Sequence, residues 1–332
     1  MIASAGDTGV STARVRRHRR VCVPTRVAER RAMTRSFTSA VTIEDALTAL
    51  GSGARPVAGG TDLVVGARQG KAPLPDAIVA IDRIEGLDAI EERGDGLRLG
   101  ALVTHGEIVA GAVIRERFTA LADASAIVGS HATRAHGSIG GNVMNASPAM
   151  DTGGPLLCFA ASAILRSGSG ERMAPLDELW TGPGSTDARP DELLVGLEVP
   201  APAGGTGSAY VRLEYRRQME IAIVGVTAVV STDGGGVTDA HVAITALAPT
   251  IRRVPEAEAA LVGSDGGDEP ISAAARAAAA GSSPITDVRG SAEYRSAMAE
   301  VIARRAIVAA LARARGEHVA IPASAATLGG TT

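Results

Sequence analysis

The sequence predicts an α+β protein made of two unlike domains. Its 332 residues are enough for two ordinary cores. Up to about residue 205, short apolar segments alternate with helical ones, whereas residues 209–247 hold apolar runs joined by a glycine-rich turn. Helical patterns then return as far as Ala314. This change of character favours a mixed N-terminal domain followed by a small domain of antiparallel sheet plus helices.

Composition narrows the class of protein further. Hydrophobic residues make up 45% of the chain and charged residues 21%, as in soluble globular proteins, and no apolar run approaches the roughly 18 residues of a membrane span. Cys22 and Cys158 cannot form a disulfide framework or a cluster site of their own, and they fit a reducing cytoplasm. Residues 1–32 contain eight arginines and two acids, while the rest of the chain is acidic. We therefore expect a disordered basic extension and no nucleic-acid binding.

The first structured elements surround a glycine-rich loop. A helix is expected over residues 42–50, with Thr42 as its N-cap. A short apolar piece at Arg55–Ala58 then leads into the loop Gly59–Asp62, after which Leu63–Ala67 is helical again.

Strands and helices alternate through the rest of the N-terminal half. Strands are predicted at Ala77–Ile81, Leu97–Leu99, Ala160–Arg166 and Leu193–Val199, helices near Thr104–Ala110 and Arg115–Val128, and a second glycine-rich loop at Gly137–Asn142.

The C-terminal part is expected to be a meander packed against helices. Its predicted strands are Ala209–Leu213, Ile223–Val230 and Val237–Leu247, and its predicted helices are Pro255–Val262, Ile271–Ala280 and Ala292–Ala314.

Common nucleotide-binding and hydrolase motifs do not fit. Gly51-Ser52-Gly53 begins a dinucleotide pattern, but Pro56 occupies its third glycine position. Ala72 stands where a phosphate loop starting at Gly66 would need Ser or Thr. There is no zinc-protease histidine pair and no nucleophile elbow.

Two loops remain as candidate binding elements, Ala58–Asp62 and Ser138–Asn142. Each pairs two glycines with short hydroxyl or amide side chains. Because glycine lets the backbone approach an anion closely, the two loops together can clamp a pyrophosphate. The alternative is that both are only tight turns. Downstream, Asn145, Ser147 and Asp151 either hydrogen-bond a heterocycle or, in the case of Ser147, cap a helix.

Four motifs occur in the order known from one family: Ala58–Leu63, Thr104-His105, Gly137–Asn142 with Asn145–Asp151, and Asp287–Arg295. Through them, the chain from Phe37 to Ala314 resembles the FAD-binding medium subunits of molybdenum hydroxylases, which include those of carbon monoxide dehydrogenase and xanthine dehydrogenase. The resemblance implies a two-subdomain FAD-binding domain of the PCMH type at residues 33–205. It also implies a CO dehydrogenase flavoprotein C-terminal-like domain at residues 206–318 and a flexible tail at 319–332.

The resemblance also implies which residues bind FAD. The pyrophosphate would be lined by Val57, Ala58, Gly59, Gly60, Thr61, Asp62 and Leu63. The ribityl chain and isoalloxazine would be held by Val128, Gly129, Thr133, Ser138, Gly141, Asn142 and Asp151, with Ile139 in the same segment, while Leu194 and Arg212 would approach the ring. Ser138 and Arg212 replace the threonine and lysine often found in the family. No catalytic residue or metal ligand is expected in this chain.

The implied function is electron transfer in a cytoplasmic heterotrimer. Electrons would pass from a large molybdopterin-binding subunit, through [2Fe–2S] clusters of a small subunit, to this FAD and then to NAD or a quinone-like acceptor. Two alternatives stay open. One is a stand-alone FAD-dependent oxidoreductase resembling UDP-N-acetylenolpyruvoylglucosamine reductase, and the other is a binding protein without enzymatic activity.

Overall fold

The computed structural model describes residues 35–94, 96–216 and 218–323. The extension predicted for residues 1–32 lies outside these residues, as does most of the predicted tail. Within the described ranges, no helix is both long and apolar enough to cross a membrane.

The first part of the structure is a small parallel sheet with two helices. In chain order its elements are β1 (Ser36–Ser39), α1 (Ile43–Gly51), β2 (Arg55–Val57), α2 (Leu63–Arg68) and β3 (Ala77–Ala80). Strand β3 lies between β1 and β2 and is parallel to both. Helix α1 begins at a capping box in which Thr42 Oγ1 accepts from Asp45 N at 3.1 Å and the Asp45 carboxylate accepts from Thr42 N at 3.1 Å. The predicted helix after the first glycine loop is confirmed as α2.

The second part is a five-stranded antiparallel sheet covered by short helices. Its elements are β4 (Ile90–Arg93), β5 (Gly96–Gly100), α3 (His105–Ala110), α4 (Ala112–Arg117), α5 (Thr119–Ala126), α6 (His131–Arg134), α7 (Ile139–Asn145), α8 (Gly153–Cys158), β6 (Ser162–Ser167), β7 (Gly170–Pro175), α9 (Leu176–Leu179), β8 (Trp180–Gly182), β9 (Ser185–Thr186) and β10 (Leu193–Pro200). The strand order is β4-β5-β10-β6-β7, and β8 pairs separately with β9. Buried leucines and alanines of this sheet and its helices form one apolar core.

Two sequence predictions in this part are wrong in detail. The single helix expected at Arg115–Val128 is divided into α4 and α5 at Phe118, whose backbone (φ −124°, ψ 44°) is not helical. The Phe118 ring is fully buried and meets the Phe159 ring at 5.1 Å, so burial of this side chain accompanies the break. The second glycine-rich segment is not a loop throughout, because α7 begins at Ile139.

The third part confirms the predicted meander. It comprises β11 (Thr206–Leu213), β12 (Val224–Thr232), β13 (Val237–Thr245), β14 (Arg252–Arg253), α10 (Pro255–Leu261), α11 (Asp268–Ala280) and α12 (Ala292–Ala314). Its strands are antiparallel in the order β11-β12-β13-β14. Strand β12 is buried from Val224 to Ser231 and is rich in valine, which suits the centre of a covered sheet. The small alanine side chains of α12 pack into the core beneath the sheet.

A buried carboxylate joins the second and third parts. Asp123 of α5 accepts hydrogen bonds from Tyr210 N at 3.1 Å, from Ala323 N at 2.9 Å, and from both terminal nitrogens of Arg313 at 2.6 and 3.0 Å. The Asp123 side chain is fully buried. This one carboxylate therefore links α5, β11, α12 and the segment after α12.

Candidate cofactor-binding site

The first glycine loop, Ala58–Asp62, connects β2 to α2 and contains backbone N–H groups without an acceptor. No described residue accepts a hydrogen bond from the backbone N–H groups of residues 59–63. Gly60 has φ +67°, the left-handed conformation that glycine adopts without strain. Consecutive free N–H groups at the start of a helix form an anion-binding arrangement.

The second glycine segment is supported by the connection between β5 and α3. Ser138 caps α7, and its Oγ accepts from Gly141 N at 3.2 Å. Ile139 N donates to Val103 O at 2.8 Å and Gly140 N to Ala101 O at 3.0 Å. The N–H groups at the start of α7 are therefore already bonded within the protein. This segment therefore has no free N–H donors to offer, but at the exposed Gly141 a ligand can come close to the backbone.

The structure brings the two glycine segments together. A Cβ atom on Gly59 would lie 2.6 Å from the carbonyl carbon of His136, and closer still to its oxygen. A Cβ atom on Gly137 would lie 3.5 Å from Thr61 Oγ1. Because the first loop rests directly on the backbone that precedes Ser138, residue 59 has no room for a side chain. The sequence suggested instead that Gly59 is needed to let the phosphate approach.

The predicted residues Val128, Gly129 and Thr133 form a turn and the start of α6. Gly129 has φ +52°, and a Cβ atom there would lie 2.7 Å from the Thr133 side chain. The carbonyl of Gly129 accepts from Met219 N at 2.9 Å. The carbonyl of Val128 accepts from Nη1 of Arg134 at 3.0 Å. This turn is thus held by the loop between β11 and β12 and by Arg134.

Asp151 and Arg212 lie together as a buried ion pair. Arg212 Nη1 donates to Asp151 Oδ2 at 2.8 Å, and the Tyr210 hydroxyl donates to Asp151 Oδ1 at 2.7 Å. Glu214 also pairs with Arg212. Burial raises the pKa of Asp151 to about 6, although Arg212 and Tyr210 favour its ionised form. Both oxygens of Asp151 are therefore bonded within the protein.

Asn142 and Leu194 connect the second segment to its surroundings. Asn142 Oδ1 accepts from the hydroxyl of Thr152, the residue after Asp151, at 2.7 Å. Leu194 is buried on β10, and the neighbouring Val195 O accepts from Ala101 N at 3.1 Å. Since Ala101 also accepts from Gly140, β10 supports the start of α7. The helix-cap interpretation of Ser147 is wrong, because the next helix begins only at Gly153.

Two further residues, His105 and Arg134, lie beside the predicted residues, and neither was predicted as a site residue. His105 is buried beside Gly137, and its backbone N–H donates to Gly137 O at 3.0 Å. The Nδ1 atom of its imidazole has no hydrogen-bond partner among the described residues. Burial, reinforced by the positive charge of Arg134, lowers the pKa of His105 to about 4. In the sequence, His105 stands out only as part of the Thr104-His105 motif. Nothing in the sequence distinguished Arg134, because its burial depends on the fold.

Comparisons with known proteins identify the family. The profile described as "FAD binding domain in molybdopterin dehydrogenase" matches residues 31–202, and "CO dehydrogenase flavoprotein C-terminal domain" matches residues 209–310. The chain belongs to the FAD-binding subunits of molybdopterin dehydrogenases. It is 33% identical over 264 residues to the carbon monoxide dehydrogenase medium chain of Hydrogenophaga pseudoflava, covering 80% of this chain and 91% of that one.

Other members agree with this assignment. The nicotine 6-hydroxylase medium subunit of Paenarthrobacter nicotinovorans is 30% identical, with coverage of 83% of this chain and 97% of that one. Among solved structures, carbon monoxide dehydrogenase from Hydrogenophaga pseudoflava matches with a TM-score of 0.80 and 32% identity, covering 84% of this chain and 97% of that chain. The predicted fold is confirmed. The protein is an oxidoreductase subunit, and its cofactor is FAD.

The described residues fit FAD. The unbonded N–H groups of residues 59–63 suit a diphosphate, and the unpartnered Nδ1 of His105 has hydrogen-bonding capacity left over. A Cβ atom built on Gly141 would have one neighbour within 4 Å, Ser138 Oγ at 3.0 Å. The space beside Gly141 is otherwise open.

Proposed function

We propose that this chain is the electron-transfer flavoprotein of a cytoplasmic molybdenum-containing dehydrogenase. Its partners would be a large molybdopterin-binding subunit, which oxidises the substrate, and a small subunit with [2Fe–2S] clusters. The FAD held by this chain would supply electron-transfer chemistry between those clusters and NAD or a quinone-like acceptor. The names of the relatives support this proposal, since they are medium chains or medium subunits of dehydrogenases and a hydroxylase.

The observation that carries the proposal is the first glycine loop seated on the second segment. Five consecutive N–H groups at residues 59–63 have no acceptor within the described residues, and Gly59 fits against His136 only because it lacks a side chain. We assign the diphosphate to the predicted residues Val57–Leu63 on this basis. In this arrangement the first loop supplies the N–H donors. The segment Ser138–Asn142 supports that loop and lets the cofactor come close to the backbone at Gly141.

The remaining predicted residues would hold the rest of the cofactor. We assign this role to Val128, Gly129, Thr133, Ser138, Ile139, Gly141, Asn142, Asp151, Leu194 and Arg212. In this proposal Asp151 and Arg212 act mainly as a fixed charge pair behind the site, because their side chains already bond to each other at 2.8 Å. We also propose that the FAD-binding domain spans residues 33–205 and the C-terminal domain residues 206–318.

Purification of the tagged full-length chain from its native host tests the proposal. We expect a yellow complex with two further subunits, one containing molybdenum and the other about two [2Fe–2S] clusters, and reduction of the flavin only when the complex is intact. A yellow protein that purifies alone and oxidises a substrate by itself would support the stand-alone alternative instead. A folded chain that never binds FAD would contradict both.

A further inference from the structure

Buried charged side chains in the described part of the chain are paired with opposite charges, with one exception. The buried carboxylates are bonded to arginines and the other buried arginines to carboxylates: Asp123 with Arg313, Asp151 with Arg212, Glu192 with Arg172, Glu258 with Arg253, and Arg295 with Asp287. Arg134 is only 9% exposed, yet no carboxylate of the described residues lies within 4 Å of it. A buried charge without a counter-ion is unfavourable, so an anion bound beside Arg134 would stabilise it.

The contacts of Arg134 hold its side chain in place but do not neutralise it. Nη1 donates to Val128 O at 3.0 Å, which fixes the turn that precedes α6. A carbonyl group carries no net charge, and burial lowers the pKa of Arg134 from its ordinary value without neutralising it. The neighbouring His105 is neutral at physiological pH because its pKa is about 4. Of these two neighbouring side chains, Arg134 therefore carries the positive charge.

The position of Arg134 connects it to both glycine segments. It is the last residue of α6, and its backbone O would lie 3.4 Å from a Cβ atom on Gly106. Two residues later, His136 supports Gly59 of the first loop. Ser138, the cap of α7, follows two residues after that. Arg134 thus lies in the backbone segment where the two glycine elements meet.

We propose that Arg134 pairs with the diphosphate of FAD and supplies the positive charge that the free backbone N–H groups of residues 59–63 provide only in part. This inference rests on the proposed function. The diphosphate is the group of FAD that is negative in both redox states, and a guanidinium recognises phosphate oxygens with paired N–H donors. Because the same side chain bonds Val128 O, it also keeps the turn at Val128–Gly129 in place.

The experiment compares three ligands on the full-length chain after removal of its flavin. ADP contains the diphosphate without the isoalloxazine ring, riboflavin contains the ring and ribityl chain without the diphosphate, and FAD contains both. Dissociation constants are measured by isothermal titration calorimetry for the wild type, Arg134→Gln and Arg134→Lys. Arg115→Gln is the matched control, because Arg115 also donates Nη1 to a backbone carbonyl, that of Val109 at 3.4 Å, but is exposed on α4.

We expect Arg134→Gln to weaken FAD and ADP at least tenfold but riboflavin by no more than about threefold, since riboflavin loses only the support that the bond to Val128 O gives the turn. Arg115→Gln should leave all three unchanged. Wild-type ADP binding should weaken with added salt more steeply than binding to Arg134→Gln. An equal loss for ADP and riboflavin, or no loss for ADP, would overturn the proposal. If Arg134→Gln does not fold, Arg134→Lys decides: it should keep ADP within about fivefold, and a folded lysine variant that loses ADP and riboflavin alike contradicts the pairing. A wild type that binds neither FAD nor ADP would refute the proposed function instead.

Discussion

Substitution of Gly59 by alanine tests how the two glycine segments meet. A methyl group at residue 59 would lie 2.6 Å from the carbonyl carbon of His136 and closer still to its oxygen. Ordinary carbon contacts are about 3.5–4.0 Å, so the two backbones would have to separate by about 1 Å. Overpacking of this kind costs about 1–3 kcal/mol, which corresponds to a loss of FAD affinity of about 5–150-fold. The cause is steric, since Gly59 is not among the glycines with positive φ.

Gly66→Ala provides the matched control for this substitution. Gly66 lies in α2, a few residues from the same loop, and a Cβ atom there would have no neighbour within 4 Å. Alanine also has the higher helix propensity, so this variant should bind FAD as the wild type does and unfold at the same or a slightly higher temperature. Both variants are purified as apoprotein and titrated with FAD while the quenching of flavin fluorescence is followed. A Gly59→Ala variant with wild-type affinity, or a Gly66→Ala variant with an equal loss, would refute the reasoning.

Three further predictions follow from other parts of the structure. Folding lowers the pKa of His105 from 6.5 to about 4. As the pH falls, the unfolded chain therefore protonates at this histidine before the folded protein does. The difference should reduce the free energy of unfolding by about 3 kcal/mol between pH 7 and pH 4. The free energy of unfolding of His105→Gln, measured in urea, should not show this decrease between pH 7 and pH 4. If it falls with pH in parallel with that of the wild type, the prediction is contradicted. Asp123→Asn should lower the unfolding free energy by about 3–5 kcal/mol because it leaves Arg313 buried without its counter-ion, whereas the control Asp187→Asn, at an exposed ion pair with Arg172, should change it by less than about 1 kcal/mol. Similar urea midpoints for the Asp123 and Asp187 variants would argue against the buried link. Deletion of residues 1–32 should leave the ratio of FAD to protein in the absorbance spectrum unchanged, because the first residue of the predicted FAD site is Val57. A truncated protein that folds but contains no flavin would contradict this prediction.

Local patterns predicted the fold well where a sequence signal has a direct physical cause. Thr42 and Asp45 predict the start of α1, because a capping box depends only on residues close together in the sequence. The turn at Thr232–Gly236 predicts the β12–β13 hairpin for the same reason. Strand β1 (Ser36–Ser39) and strand β4 (Ile90–Arg93) lack a clear apolar alternation and were not predicted, since each lies beside only one neighbouring strand at a sheet edge.

The candidate site was predictable as a set of segments but not as an arrangement. Glycine pairs and their short polar neighbours mark both segments in the sequence, and the family resemblance adds the order in which they occur. The difference between them depends on tertiary contacts. The N–H groups of Ile139 and Gly140 donate to Val103 and Ala101, whereas those of residues 59–63 have no acceptor in the part of the chain that the structure describes. The exceptional position of Arg134 likewise becomes visible only when every buried charge is compared with its surroundings.

Amide hydrogen exchange at residues 59–63 tests the central claim most directly. In the apoprotein these five N–H groups have no acceptor within the described residues, so they should exchange at nearly the rate of an unstructured peptide. Saturation with FAD should slow their exchange at least tenfold, while the N–H groups of Ile139 and Gly140, already bonded to Val103 and Ala101, should change little. Stoichiometric FAD binding with no protection at residues 59–63 would contradict the account.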